Sequence, residues 1–205
     1  MISDQQGLPR DIETIFERLA TELAFLDRTW SMWKELFTIS KDRVKLMNQL
    51  APGFFALAGD ALMHDVILRF CRLSDPPRTG CHAHLSLKTL VDKIGRDVYP
   101  GLRQNLERQL GCLRDRSASL RDYRNQKLTH TDLNVALSVI PPPVVKLPAV
   151  DESLQAIHHL MTAVWQSFVP EKTRHYGLSG THHARAIITV LEEAKELRDT
   201  RDPRR

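Results

Sequence analysis

The 205-residue chain is short of cysteine, of net charge and of long apolar runs, and each shortage excludes something. Its three cysteines, Cys71, Cys81 and Cys112, form an odd, widely spaced set. That argues against a disulfide framework and for free thiols in a reducing compartment. The formal net charge is only +4, from 29 basic and 25 acidic residues. A protein that coats nucleic acid indiscriminately is usually more basic, so any such contact should be local. No apolar run approaches the ~20 residues needed to cross a bilayer. The opening Met1-Ile2-Ser3-Asp4-Gln5-Gln6 has neither a basic n-region nor an apolar h-region, so the chain reads as cytoplasmic rather than secreted.

What is present is helical periodicity, and it predicts an all-α, antiparallel helical bundle in one domain over residues 1–200, with a frayed tail at 201–205. Pro9 and Asp11 open an amphipathic stretch through Ile15, Leu19, Leu23 and Leu26. Trp30, Trp33, Leu36 and Phe37 continue the spacing, as the same helix or a second one, and Leu46 and Leu50 close it before Pro52-Gly53. A helix from about Phe54 to Leu73 carries Phe55, Leu62, Val66 and Phe70 on one face, and Asp75-Pro76-Pro77 stops it. Residues 78–84 read as a loop. Ser86 reads as the cap of a short helix through Leu90 and Ile94, ended by Gly95. A long central helix is predicted from Leu102 to about Leu128. Residues 133–150, with four prolines, read as an irregular excursion in which 135–140 has some strand character. Asp151 should cap a helix through Ile157 and Val164, and a last helix should start near Thr181.

The central helix concentrates the charge. Between Leu102 and Lys127 there are seven basic residues against three acidic ones, which equals the whole chain's excess. Its apolar stripe runs Leu102, Leu106, Leu110, Leu113, Ser117, Leu120, and the next position on that face is Arg124. A guanidinium thus falls where a leucine belongs. Burying an unpaired charge is very costly, so Arg124 must meet an acid, a carbonyl group, a cleft or a partner subunit. Ser117 interrupts the stripe earlier, so this end of the helix faces something polar. His130 follows six residues after Arg124, roughly 240° around a continuing helix, so the two side chains converge only if the helix bends, ends or is joined by a second chain.

These residue types suit phosphodiester chemistry. Histidine exchanges a proton near pH ~6.5. Arginine is always charged and can hold two phosphate oxygens. Asn125 can donate to phosphate or steady the arginine, and Asp132 can orient the imidazole. Arg124, Asn125 and His130 could together promote attack of an RNA 2′-hydroxyl on its own phosphate with no metal or other cofactor. Asp65, Arg72 and Asp75 are candidates to support Arg124, either as part of the site or as an ion-pair network. Arg116, Arg121 and Lys127 are candidates to hold RNA phosphates, or to form a solvated helix face. The bland alternative is that Arg124 bridges to Asp65 or Asp122 while His130 caps a helix end. Cys81-His82-Ala83-His84 has metal-ligating residue types without a matching second pair, as have His158-His159 and His182-His183, so no metal site is expected. Trp30/Trp33 and Trp165/Phe168 read as core or dimer interface.

The stretch Arg124-Asn125-Gln126-Lys127-Leu128-Thr129-His130-Thr131-Asp132 resembles the signature of the HEPN superfamily, and more narrowly that of its AbiU-like abortive-infection branch. The upstream stretch Leu68-Arg69-Phe70-Cys71-Arg72-Leu73-Ser74-Asp75-Pro76 and the following Leu85-Ser86-Leu87 are similar to further motifs of that branch, in the same order. Thr129 stands where the branch usually has alanine, which crowds the site slightly. The resemblance implies a homodimeric helical bundle whose paired Arg124 and His130 line a cleft between subunits, with Asn125 assisting. It implies a metal-independent RNA endonuclease in phage defence, open to control by an antitoxin or other partner protein. Other HEPN proteins are inactive, so a non-catalytic interaction or nucleotide-binding module in a homodimer is the alternative.

Overall fold

The computed structural model describes residues 7–95, 99–129, 133–141 and 143–201, and over these the protein is all-α apart from one small hairpin. Helix α1 (Arg10–Phe37) runs unbroken through both tryptophans, so the first periodic stretch is one helix. Helix α2 (Lys41–Leu50) is separate, because Ser40 stops the chain in extended geometry and its hydroxyl accepts from the amides of Asp42 and Arg43. Helix α3 (Pro52–Ser74) begins on Pro52 itself. A first-turn proline lacks only a donor that the turn leaves unused, so the residue that ends one helix opens the next.

Residues 78–84, expected as a loop, form a short antiparallel hairpin. Strand β1 (Arg78–Thr79) pairs with β2 (His82–Ala83), Arg78 facing Ala83. Gly80 supplies the positive φ, +58°, that this tight reversal requires. The hairpin delivers the chain to Ser86, whose Oγ accepts from the Thr89 amide at 3.3 Å and starts α4 (Leu87–Lys93) as expected.

The long central helix does not run through. It is α5 (Pro100–Arg116), then α6 (Ala118–Tyr123), then a π-helical segment over Arg124–Thr129. The break falls at Ser117, which is fully buried and donates its hydroxyl to the Leu113 carbonyl at 2.6 Å and the Arg114 carbonyl at 3.3 Å. A serine bonded back to its own helix in this way competes with the backbone ladder and bends it. Residues 135–140 form no strand. They contain the end of a single turn, α7 (Leu133–Ala136), and a reversal with Ser138 at φ 58°. The amides of Val139 and Ile140 both go to the Asn134 carbonyl, so neither can join a ladder. Helix α8 (Leu147–Phe168) starts before the expected cap at Asp151, because Pro148 suits a first turn. Helix α9 (Thr181–Arg201) starts where expected, and residues 202–205 of the expected tail lie outside the described residues.

The chain divides into two compact units, to both of which α1 and α3 contribute. The first comprises residues up to Leu23 and Ile67–Tyr176. Here α8 lies along α5, burying Leu154, Ile157, Leu160, Met161 and Val164 at three- and four-residue steps. The Arg174 guanidinium grips Glu17 with two bonds of 2.6 Å and lies over the rings of Trp165, Phe16 and Tyr176. The second unit comprises Ala24–Val66 and the chain from Gly177 on, around Leu36, Met47, Phe55, Ala184 and Ile188. Trp30 is buried there and stacks on Trp33, centroids 5.3 Å apart. No described helix is long and apolar enough to cross a membrane.

Candidate active site

Asp75 leaves the end of α3 just as Pro76 and Pro77 forbid further helix. The Pro77 carbonyl accepts from the His84 amide at 2.8 Å, which ties this exit to the far side of the hairpin. In that setting Asp75 meets Arg124, 49 residues later. Arg124 Nη1 donates to Asp75 Oδ1 at 2.8 Å and to Oδ2 at 2.6 Å. The two side chains are 19 % and 28 % exposed, enough burial for the pairing to matter to both. Arg124 Nε also donates to Asn125 Oδ1 at 3.1 Å. The acid that compensates the guanidinium is therefore Asp75, one of the residues named as candidates to support it.

Arg124 is also the first residue of the π-helical segment. Thr129 Oγ1 reaches back to the Arg124 carbonyl at 3.3 Å, five residues away. The i→i+5 pattern of a π-helix turns less per residue than the ~100° of an α-helix, and such segments recur at functional sites. His130, Thr131 and Asp132 lie outside the described residues.

One turn earlier, Arg121 Nη1 donates to Ser117 Oγ at 2.8 Å, and Nη2 donates to the Arg114 carbonyl. The polar break in the stripe is thus a knot of Ser117, Arg121 and helix-end carbonyls. Cys71 lies against it, its sulfur 4.0 Å from the Leu120 carbonyl oxygen. Burial pushes this thiol up to about 11, against the opposing pull of Arg124, so it stays protonated near neutrality.

Beside the Asp75–Arg124 pair opens a cleft of about 550 Å³. Lys88, Arg114, Arg121 and Arg124 line it together with Asp75 and Glu107. Both carboxylates are already engaged, Asp75 by Arg124 and Glu107 by Arg103 Nε at 2.8 Å. Lys88 is likewise held by Asp92 and Arg124 by Asp75, so the excess positive charge is that of Arg114 and Arg121, and it suits an anion. The rest of the lining is largely apolar: Pro76, Pro77, Leu110 and Leu113.

Residues 10–174, which include both ends of this ion pair, match the model of the HEPN AbiU2 family. The chain belongs to the AbiU2 family of HEPN proteins. No curated protein and no solved structure matches it. The Asp75 and Arg124 stretches of this AbiU2 chain, far apart in sequence, thus meet in one salt bridge.

The other expected residues scatter. Arg72 is exposed on α3 and shares a second groove with Asp75, Glu22 and His84. Asp65 belongs to the second unit, where Thr29 Oγ1 donates to it at 3.2 Å. Arg116 and Lys127 are exposed, outside the lining of the cleft, whereas Arg121 lines it. Sequence reasoning did not single out Arg114 and Lys88. Arg114 lies seven residues before Arg121 and hence on the same helical face, a signal that was available. Lys88 comes from the start of α4 and is placed there only by tertiary packing. Arg103 was counted with the basic face, but it is buried and structural. Its guanidinium takes the α4-end carbonyls of Val91 and Ile94 and the carboxylates of Asp92 and Glu107, capping α4. Among the described residues no group of three or more His, Cys, Asp or Glu is placed to hold a metal, including Cys81, His82 and His84.

Proposed function

We propose that this AbiU2 protein is a cytoplasmic endoribonuclease of phage defence that cleaves RNA without a metal and acts as a homodimer. The observation that carries the proposal is the Arg124–Asp75 bond, which joins the two family stretches beside a cationic cleft. One His130 imidazole takes the proton of the 2′-hydroxyl, and O2′ attacks the adjacent phosphorus. The bond to O5′ breaks as the His130 of the second copy delivers a proton to it, leaving a 2′,3′-cyclic phosphate and a 5′-hydroxyl. Arg124, aimed by Asp75, stabilises the negative charge that grows on the phosphorane oxygens, and Asn125 steadies the guanidinium. Arg121 and Arg114 supply further phosphate contacts.

The test is incubation of the full chain with labelled RNA in excess EDTA, beside His130→Ala and Arg124→Ala. Cleavage by the wild type alone, with cyclic phosphate ends, is the expected result. Equal cleavage by His130→Ala overturns the catalytic assignment.

A second reading draws on the same bond. Arg124 spends Nη1 on Asp75 and Nε on Asn125, as a purely structural bridge would. In a non-catalytic interaction module, no form cleaves RNA, and Arg124→Ala unfolds the protein or weakens its self-association in sedimentation.

A further inference from the structure

Helix α9 carries apolar side chains on two faces, and only one of them is packed against the core. Ala184 and Ile188 are buried, and Leu191 packs with them against Leu36, Met47 and Phe55. Ile187, Val190, Ala194 and Leu197 form a second stripe at steps of three, four and three residues. At ~100° per residue this stripe lies about a quarter-turn round the helix from the buried face. Ile187 is 41 % exposed, Val190 62 % and Leu197 59 %, and every residue from Glu192 to Arg201 is exposed. A groove of about 700 Å³ runs along Ala194, Leu197 and Arg198, with Leu50 of α2 on its other wall. A single exposed leucine needs no explanation, but four apolar residues on one stripe do. Ile187 and Val190 are also β-branched and lower helix propensity, and on a solvated face no packing offsets that cost.

The steps are those of positions a, d, a and d of a heptad, and the charges beside them follow the same repeat. Glu193 takes position g and Arg198 the following position e. Neither has an opposite charge three or four residues away within α9, so neither is committed to a bridge along its own helix. We infer that α9 is a self-association surface, on which the α9 of a second copy lies parallel and in register about a two-fold axis. Ile187, Val190, Ala194 and Leu197 then meet their own counterparts. Glu193 of each copy reaches Arg198 of the other, which gives two bridges. Antiparallel packing brings flank g against flank g, so that Glu193 faces Ala186, Thr200 or a second Glu193 and Arg198 has no acid. Charge therefore selects the parallel pair. Two heptads are too few to hold free peptides together, but α9 is already folded onto its own core, so the helix exists before the copies meet. The contact uses residues beyond the 10–174 of the family match and does not rest on the nuclease reading.

The experiment is sedimentation equilibrium of the full chain, for the wild type, Glu193→Arg, Arg198→Glu and the two combined. Both positions are exposed, so failure to fold is not expected. The wild type should self-associate, each single reversal should weaken association at least tenfold, and the double reversal should restore it to within about threefold. A wild type that is monomeric at every loading concentration overturns the seam. So does a Glu193→Arg variant that sediments like the wild type, or a double reversal as weak as the single ones. Orientation is read by cross-linking. With the exposed Cys81 and Cys112 replaced by serine, Leu197→Cys should form a disulfide-linked dimer on mild oxidation, because a parallel pair sets the two 197 positions side by side. An antiparallel pair centred on the stripe holds them about 15 Å apart, beyond the reach of a disulfide. A monomer on a non-reducing gel overturns the parallel register. RNA cleavage plays no part in either readout, so the seam and the nuclease stand or fall separately.

Discussion

At the residue scale, Asp75 is what makes Arg124 tenable. The helix turns a permanent charge toward a leucine stripe, and a carboxylate arriving from the end of another helix meets it with two bonds. Asp75→Asn keeps the shape and removes the charge. It should lower stability by about 1–3 kcal/mol, the range for a hydrogen bond to a charged group in a partly buried site. On the proposed nuclease function it should also reduce RNA cleavage at least tenfold, because the guanidinium loses its aim. Urea midpoints and cleavage rates on the same preparations check both. A shift below about 0.5 kcal/mol would put the pair among ordinary surface bridges. The anomaly of Arg124 was legible in the three- and four-residue steps of the stripe. Its partner was not, because local periodicity says nothing about a residue 49 positions away, and three aspartates were equally eligible.

At the scale of elements, departures from the expected pattern have local causes. Ser117 divides the central helix with its own hydroxyl, the α-helical ladder resumes at Ala118, and its pitch changes at Arg124. A leucine at 117 would have continued the stripe, so the serine was a visible signal whose consequence was misjudged. In the second unit, the entry to α9 depends on a glycine. Gly180 donates its amide to Ser31 Oγ at 2.7 Å, and a Cβ there would stand 2.3 Å from the Arg28 carbonyl oxygen. Backbone here packs directly on backbone, and no rotamer change can relieve the clash. Gly180→Ala should therefore destabilise the protein by about 1–3 kcal/mol, whereas Gly111→Ala, inside α5 where a Cβ meets nothing within 4 Å, should stabilise it by up to about 1 kcal/mol. Thermal melts should move in opposite directions, by about 2–4 °C per kcal/mol for a chain of this size. Parallel shifts would contradict the packing described.

For the whole molecule, the informative variable is pH. Glu35 is buried in the second unit, 5 % exposed, between Arg43 Nη1 at 2.6 Å and Arg185 Nε at 2.9 Å. The hydrogen bonds from Arg185 and then Arg43 hold its carboxyl below the ordinary value of 4.5. A depressed carboxylate contributes stability that is full above its unfolded pKa and is lost as pH falls through the folded value. Wild-type stability should accordingly fall with acidification below about pH 4.5, and Glu35→Gln should be less stable at pH 7 with a flatter acid limb. Chemical denaturation across that range measures it; parallel limbs for the two proteins would remove Glu35 as a cause. Nothing in the spacing of α1, α2 and α9 announced this triad, since its arginines come from positions that look like ordinary exposed helix charges.

The all-helical class, the limits of most long helices, the polar break at Ser117 and Arg124, and the family stretches were determined by the sequence alone. Each depends on side chains three or four residues apart, on caps, or on prolines, and these act within a turn of the backbone. The partner of Arg124, the use of Arg103 as a buried cap, and the joining of Lys88 to Arg114 and Arg121 around one cleft were decided only by tertiary structure. They depend on which carboxylates, carbonyl groups and cations arrive from distant elements. An ion pair forms according to distance in space, and sequence separation carries almost no information about that distance.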